Sequence, residues 1–433
     1  MKYAVKERSD TWLDVSFQLS SAELMIKQRQ LETRLKPKPE PEELKQIVRQ
    51  TSMKEAVQAF LKKESVTTWG TPRFSISPPK PGDPPGLNFV SRLSLLPEVT
   101  LPDYRQLKLE VPPVAMPTEE AAQLEMFRLR QQLSNPHEVS RPIKWGDIVD
   151  VSFVGFDAKQ QPIPLSLRES QSMIVNGALF YPGFMQALIG KASGDAFEVE
   201  LVAPDDYFHP PVRNQEVSYR GKVLQVFEPD HAQTDAELLK RLGECPDMET
   251  LYRQIAEDVL LQNQKDWNKA LRKTVVQWVS DQAEVALTNE MIEAELRSEW
   301  ERLEAQVLKR LGYGDDVVAA SWLAWQAHEE LFTQMGYRLK DALVLRQIAL
   351  NEQLAVEDDE AMAVMMAISD TFGGPSPEDL FFEMRRSKQL DSIVAQMESE
   401  KAIDFLMGRL TLICEGEVLL SPDQPAQDVL PAS

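Results

Sequence analysis

Cysteine is nearly missing from this chain: 433 residues hold only Cys245 and Cys414. Two distant cysteines do not make a disulfide framework, so burial rather than cross-linking must hold the fold. Histidine is almost as scarce. His137, His209, His231 and His328 are scattered without HxxxH or CxxC spacing, so neither a metal nor another cofactor is expected. No GxxxxGK[ST] run occurs, and nucleotide-driven cycling is not expected. No stretch of about 20 apolar residues is available to span a membrane. Residues Met1 to Arg8 carry no apolar run, so a secretory signal is not expected and the cytoplasm is the expected compartment. Positive charge is short as well: 47 Lys and Arg face 68 Asp and Glu, a net charge of −21. A field of that sign repels nucleic acid and anionic lipid, so DNA or membrane binding would need a local basic patch.

What is present fits a soluble globular class, with 43% hydrophobic and 27% charged residues. The length suits several domains, because single cores stop growing near ~250–300 residues. Residues 1–112 mix strands and helices. Leu13, Val15 and Phe17 alternate like a half-buried strand. Ser20 and Glu23 form a capping box for a helix to about Leu35. Pro37, Pro39 and Pro41 break it, and a second helical stretch follows, with Ser52 and Glu55 as a restart cap. Leu87, Phe89, Leu93 and Leu95, then Leu107, Leu109 and Val111, return to strand alternation. Pro112, Pro113 and Pro117 mark a linker, and Thr118–Leu133 reads as a helix with Leu124, Phe127 and Leu133 as its apolar side.

An all-β cassette follows, with period-two runs at Val149–Phe153, Phe197–Leu201 and Val217–Val226. From about His231 the pattern is helical. Thr234 and Glu237 form a capping box, and helices are expected at Leu251–Val279, Glu290–Arg310, Ala319–Glu352, Asp358–Phe372 and on to about Leu412, with Ser376, Pro377 and Asp379 as a helix start. After Gly416 the proline-bearing tail reads as disordered.

The cassette reads Asp147-Ile148-Val149-Asp150-Val151-Ser152-Phe153, then Val175-Asn176-Gly177-Ala178-Leu179-Phe180-Tyr181-Pro182-Gly183-Phe184, then Pro204-Asp205-Asp206-Tyr207. This order resembles the FKBP peptidyl-prolyl isomerase domain. Prolyl isomerisation needs no nucleophile or metal, only an apolar cleft that favours the twisted imide over a barrier of ~18–20 kcal/mol. The resemblance implies a proline site walled by Phe153, Met173, Phe180, Tyr181, Phe184, Tyr207 and Tyr219. Ile163-Pro164-Leu165, Ala203 and His209-Pro210-Pro211 depart from the family pattern, and the same aromatics also suit the core of a small barrel.

Domain order, together with Trp69-Gly70-Thr71-Pro72 and Leu95-Leu96-Pro97-Glu98-Val99-Thr100-Leu101-Pro102, resembles the trigger factor family. The resemblance implies an α+β multidomain chain: an α+β N-terminal domain at 1–112, an FKBP-like β domain with a short helix at 145–229, and an extended all-α C-terminal cradle from 113–144 and 230–415, with 416–433 as a disordered tail. It also implies an ATP-independent chaperone that holds nascent or unfolded polypeptides and proline-containing peptides. A homodimer is open. Family members dock on the ribosome through a Gly-Phe-Arg-x-Gly-Lys-x-Pro loop. That motif is absent; Arg34, Lys36 and Lys38 remain near the matching place, beside Glu40, Glu42 and Glu43, so ribosome docking is expected to be weak or lost. Candidate client-binding residues are Trp322, Trp325, Phe332, Met335, Met362, Met365 and Met366, because unbranched, polarizable methionines and aromatics adapt to varied apolar segments. A dedicated isomerase and a non-catalytic scaffold for folded partners are the alternatives.

Overall fold

Alternation in the first hundred residues becomes a four-stranded antiparallel sheet in the computed structural model, which describes residues 1–420 except 10, 35–39, 67, 78–85, 177–182, 233, 373–375, 377–380, 382–383 and 386–388. The chain divides into two units, Met1–Thr100 with Ala283–Glu295, and Leu101–Gln282 with Leu296 onward.

In the first unit β1 (Lys2–Arg8), β2 (Trp12–Ser20), β3 (Thr68–Ile76) and β4 (Gly86–Leu95) lie in the order β1-β2-β4-β3. Leu13, Val15, Phe17 and Leu19 of β2 and Leu87, Phe89, Leu93 and Leu95 of β4 point to one face, as the strand period of two requires. That face is covered by Met53, Ala56, Val57 and Phe60 of helix α2 (Pro41–Glu64). The Phe17 and Phe89 rings stack at 4.9 Å, and Phe60 meets Phe17 edge-on at 5.8 Å. Helix α1 (Ser21–Arg34) opens with the expected capping box: the Ser20 N–H donates to Glu23 Oε2 at 2.8 Å, and the Glu23 N–H donates to Ser20 Oγ at 3.4 Å. The restart cap expected at Ser52 is absent. Ser52 is buried inside a continuous helix, where no proline or glycine interrupts the ladder, and Glu55 pairs with Lys27 of α1. A short pair, β5 (Val99–Thr100) with β12 (Glu284–Val285), joins the first unit's two segments.

The second unit contains the β cassette and most helices. Strands β8 (Ile148–Asp157), β9 (Arg168–Ile174), β10 (Ala196–Val202) and β11 (Glu216–Glu228) form an antiparallel sheet in the order β10-β11-β8-β9, with β7 (His137–Glu138) on the end of β11. Its concave core gathers Val149, Val151, Phe153, Val199, Tyr219 and Val223 with Phe184, Met185 and Leu188 of the short helix α4 (Phe184–Leu188).

The unit's other helices are α3 (Glu119–Gln132), α5 (Asp235–Leu242), α6 (Met248–Gln282), α8 (Gln306–Arg310), α9 (Asp315–Gln326), α10 (Glu329–Asn351), α11 (Asp358–Phe372) and α12 (Gln389–Met407), while α7 (Asn289–Trp300) begins in the first unit and ends in the second. α3 lays Met126, Leu129 and Leu133 against Leu251 and Ile255 of α6. Its expected apolar side is therefore rotated: Leu124 and Phe127 face water. The Thr234 cap is formed, its Oγ1 accepting the Glu237 N–H at 3.2 Å. The helix expected over Ala319–Glu352 is two helices, broken where the His328 side chain caps α10.

Three further expectations are corrected. The C-terminal region is not all helical: β6 (Leu107–Glu110), β13 (Leu410–Cys414) and β14 (Glu417–Leu420) form a small sheet, β13 running parallel to β6. Leu410, Leu412 and Cys414 are buried alternately, a strand pattern that replaces the helix expected to reach Leu412. The tail after Gly416 begins with β14 rather than with disorder. Segment 101–112 packs in the second unit, not the first. Tyr104 Oη and the Arg105 guanidinium both donate to Glu352 at 2.7 Å, and Trp267 Nε1 donates to the Pro112 carbonyl at 2.8 Å. Of the expected helix start at Ser376, Pro377 and Asp379, the last two lie outside the described residues. Among the described residues no helix is long and apolar enough to cross a membrane.

Candidate functional site

Four of the seven proposed wall residues meet in one aromatic cluster. Phe153 comes from β8, Phe184 from the start of α4, Tyr219 from β11 and Tyr207 from the turn after β10. The Phe153 and Phe184 centroids lie 5.4 Å apart at 65°, and Phe184 meets Tyr219 at 5.6 Å and 86°. These are edge-to-face contacts, in which positive ring edges face negative faces. The Tyr207 and Tyr219 hydroxyls are hydrogen-bonded to each other at 2.5 Å. Phe153 is 4% exposed, Phe184 0%, Tyr207 1% and Tyr219 1%, so the cluster is packed in this structure. Met173 sits half-buried at its margin; Phe180 and Tyr181 lie outside the described residues.

Two members of the cluster were not anticipated. Phe197 of β10 meets Phe184 at 5.7 Å and 83°. Gly221 of β11 stands in register with both Phe153 and Phe197, and a methyl group there would lie 2.1 Å from the Ser152 carbonyl oxygen. An isolated glycine within a strand was the available signal, because it often marks close backbone approach.

The cluster's outer loops touch the helices. The Leu165 N–H donates to Glu304 Oε1 at 2.5 Å, and Ser321 Oγ donates to Glu304 Oε2 at 2.8 Å. Burial pushes the Glu304 carboxyl above its ordinary range, against the pull of Ser321 and the Leu165 N–H. Phe156, on the convex side of β8, faces Tyr313 at 6.3 Å. The His209 ring lies 4.4 Å from that of His328.

His209 titrates near 4, because burial disfavours the charged ring and His328 adds to the effect while Asp157 opposes it. A lowered folded-state value means that the unfolded chain takes up the proton first. His209 therefore leaves stability untouched above about pH 6.5 and weakens the fold as pH falls from there toward 4, on the order of 2 kcal/mol after allowance for screening. Urea titrations at pH 7 and pH 4.5 are expected to show this loss for the wild type and a smaller one for His209→Gln. Equal losses would remove the histidine from the account.

The client-binding candidates divide. Trp325, Met335 and Met365 are buried and serve as packing residues here, since an apolar stripe on a helix seeks a neighbouring helix first. Trp322, Phe332 and Met362 are half-buried, and Met366 is exposed. Trp322 lies tilted at 48° to Trp300, with centroids 5.3 Å apart, under the Arg297 guanidinium. Other large apolar side chains missed by the sequence reading are more open: Leu323 is 63% exposed, Tyr337 61% and Leu350 59%. At the degenerate docking place α1 ends at Arg34, while Lys36 and Lys38 lie outside the described residues.

Comparison with known proteins bears on both parts. The model of the bacterial trigger factor protein C-terminus matches residues 247–408, and that of the bacterial trigger factor protein matches residues 29–126. Together they take in more than half of the chain and bracket the β cassette. The chain belongs to the trigger factor family. The trigger factor of Chromohalobacter salexigens is 24% identical over 363 residues, covering 84% of this chain and 78% of the relative. That of Halothermothrix orenii is 25% identical over 331 residues, covering 74% of each. A solved trigger factor chaperone, from work on promiscuous substrate recognition in folding and assembly, covers 94% of this chain and 99% of its own at 16% identity, with a TM-score of 0.38. As a trigger factor this protein is a chaperone of protein folding, built on an α+β multidomain fold.

Proposed function

We propose that this trigger factor holds unfolded or nascent polypeptide in the cytoplasm, without nucleotide, through apolar side chains left open on its helices, and that the β cassette engages proline-bearing segments as a weakened FKBP-type isomerase. The observation that carries the holding role is the exposure of Leu124, Phe127, Leu323, Tyr337, Leu350 and Met366 on helices whose other faces are packed. Large apolar groups held in water on a rigid frame lower the free energy of any extended chain that covers them. The proline role is supported by the convergence of Phe153, Phe184, Tyr207 and Tyr219 in one aromatic cluster, with Phe180 and Tyr181 in the adjoining sequence.

Ribosome docking is proposed to be weak, since Arg34, Lys36 and Lys38 are followed by three glutamates within five residues and Lys27 is already paired with Glu55. The deciding experiment adds the protein to a chemically unfolded, proline-free client and follows light scattering. Suppression of aggregation at near-stoichiometric ratio is expected, together with little ribosome co-pelleting at physiological salt. No suppression, with stable capture of a folded partner instead, would transfer the function to a scaffold.

A further inference from the structure

We infer that the helical segment from Trp300 to His328 latches the two loops that close the aromatic cluster, so that the β cassette admits a peptide only when this latch lets go. The inference rests on the proline-binding reading above.

The first contact is the buried carboxylate. Glu304 is 3% exposed and 139 residues from Leu165 in sequence, yet one of its oxygens takes the Leu165 N–H and the other takes the Ser321 hydroxyl. Ser321 in turn accepts from Trp300 Nε1 at 2.9 Å. The carboxylate sits in a π turn, Glu301–Ala305, a rare form found inside α-helices and frequent at functional sites. Leu165 is held at φ 62, a left-handed conformation that a bulky residue adopts only when its surroundings impose it.

The second contact is the His209 ring against His328, whose Nδ1 accepts the Leu331 N–H and thereby caps α10. An ion pair, Arg310 to Glu169 at 2.8 Å, stands at the exposed rim and adds orientation more than energy.

These contacts land on the cluster's own walls. Ile163, two residues before Leu165, and Tyr207, two residues before His209, share one buried core with Phe153, Phe184 and Tyr219. A proline ring has no room beside these buried aromatics while both loops are fastened. Of the three places that depart from the isomerase pattern, Ile163-Pro164-Leu165, Ala203 and His209-Pro210-Pro211, the first and last carry the buried contacts to the helices. Departures scattered by loss of function alone would have no reason to coincide with an interface. Helices α9 and α10, which supply Ser321 and His328, also carry the open side chains Leu323 and Tyr337. A client that shifts those helices would favour release, and linkage requires that peptide in the barrel favour client binding in return.

Hydrogen–deuterium exchange on the full-length chain tests the latch. Glu304→Ala leaves the Leu165 N–H and the Ser321 hydroxyl without their acceptor. His328→Asn keeps a capping side chain and removes the ring. In Glu304→Ala the amides of residues 163–167 and 205–213 are expected to exchange about tenfold faster, with a smaller rise in His328→Asn and unchanged helical circular dichroism. Unaltered exchange in both folded variants overturns the latch; should Glu304→Ala not fold, His328→Asn decides alone. Acceleration of cis/trans isomerisation in a short proline peptide is expected to exceed wild type in the loosened variants. Loosened loops without peptide binding in any form keep the latch and end the proline reading; wild-type turnover with unloosened loops does the reverse.

Discussion

Phe184→Ala is expected to unfold the β cassette rather than to blunt a surface site. The ring is fully buried and meets Phe153, Phe197 and Tyr219 edge-on at 5.4–5.7 Å. Deleting a ring from such a place costs about 3–5 kcal/mol, the lost transfer energy plus the cavity that rigid neighbours cannot close. Domains are stable by only about 5–15 kcal/mol, so the variant should melt the cassette at ordinary temperature or close to it. Chemical denaturation followed by tyrosine-region circular dichroism would measure the loss. A loss under about 1 kcal/mol would mean that the site is roomy and already open. Failure of proline binding in Phe184→Ala therefore says little about contact with substrate. Tyr207→Phe is the better probe, because it keeps the ring and removes the hydroxyl with its 2.5 Å hydrogen bond to Tyr219, a change of about 1 kcal/mol.

Gly221→Ala should be nearly as damaging, although it adds a single methyl group. That carbon would sit 2.1 Å from the Ser152 carbonyl oxygen, 2.7 Å from Phe197 Cζ and 2.8 Å from Phe153 Cβ. The first neighbour is backbone in a paired strand, so relief requires β8 and β11 to separate. The expected cost is about 3 kcal/mol or more, at the upper end of overpacking effects. Gly408→Ala supplies the comparison, since its nearest neighbours stand at 3.5 Å, an ordinary contact, and its effect should stay within about 0.5 kcal/mol. Equal melting temperatures for the two variants would show that the strands tolerate the intrusion. If Gly221→Ala folds only at low temperature, the aromatic cluster is built around a backbone contact rather than around the rings alone.

Both outcomes bear on how this trigger factor divides its labour. A cassette whose walls are its own core cannot bind proline as a rigid slot. On the proposed reading it would have to open, and the contacts of Glu304 and His328 would put that opening under the control of helices that also present apolar surface. Holding and isomerisation would then be successive states of one molecule, with the packed form resting and the loosened form active.

Local periodicity made much of the architecture legible in advance. Alternation at Leu13–Phe17, Val149–Phe153 and Val217–Val226 reports strands because a pleated chain sends successive side chains to opposite faces. Ser20 with Glu23 and Thr234 with Glu237 report helix starts because their side chains satisfy amides only a few residues away. Even the likeness to the family was carried by short stretches of this kind, read in order.

Contacts across long separations were decided only in three dimensions. Nothing near Glu304 in the chain announces that it will receive the Leu165 N–H 139 residues away, and no local pattern tells Trp325 and Met365, which are buried, from Leu323 and Tyr337, which are not. Val154 and Phe156 on the convex side of β8 are buried where a one-faced strand would leave them wet, since other parts of the chain cover them. The strand at Leu410–Cys414 exists because β6, three hundred residues earlier, offers it a partner. The pattern of apolar side chains sets which faces must be covered; which element covers them depends on how distant segments compete for the same apolar area and hydrogen bonds, and that competition is settled only when the whole chain packs.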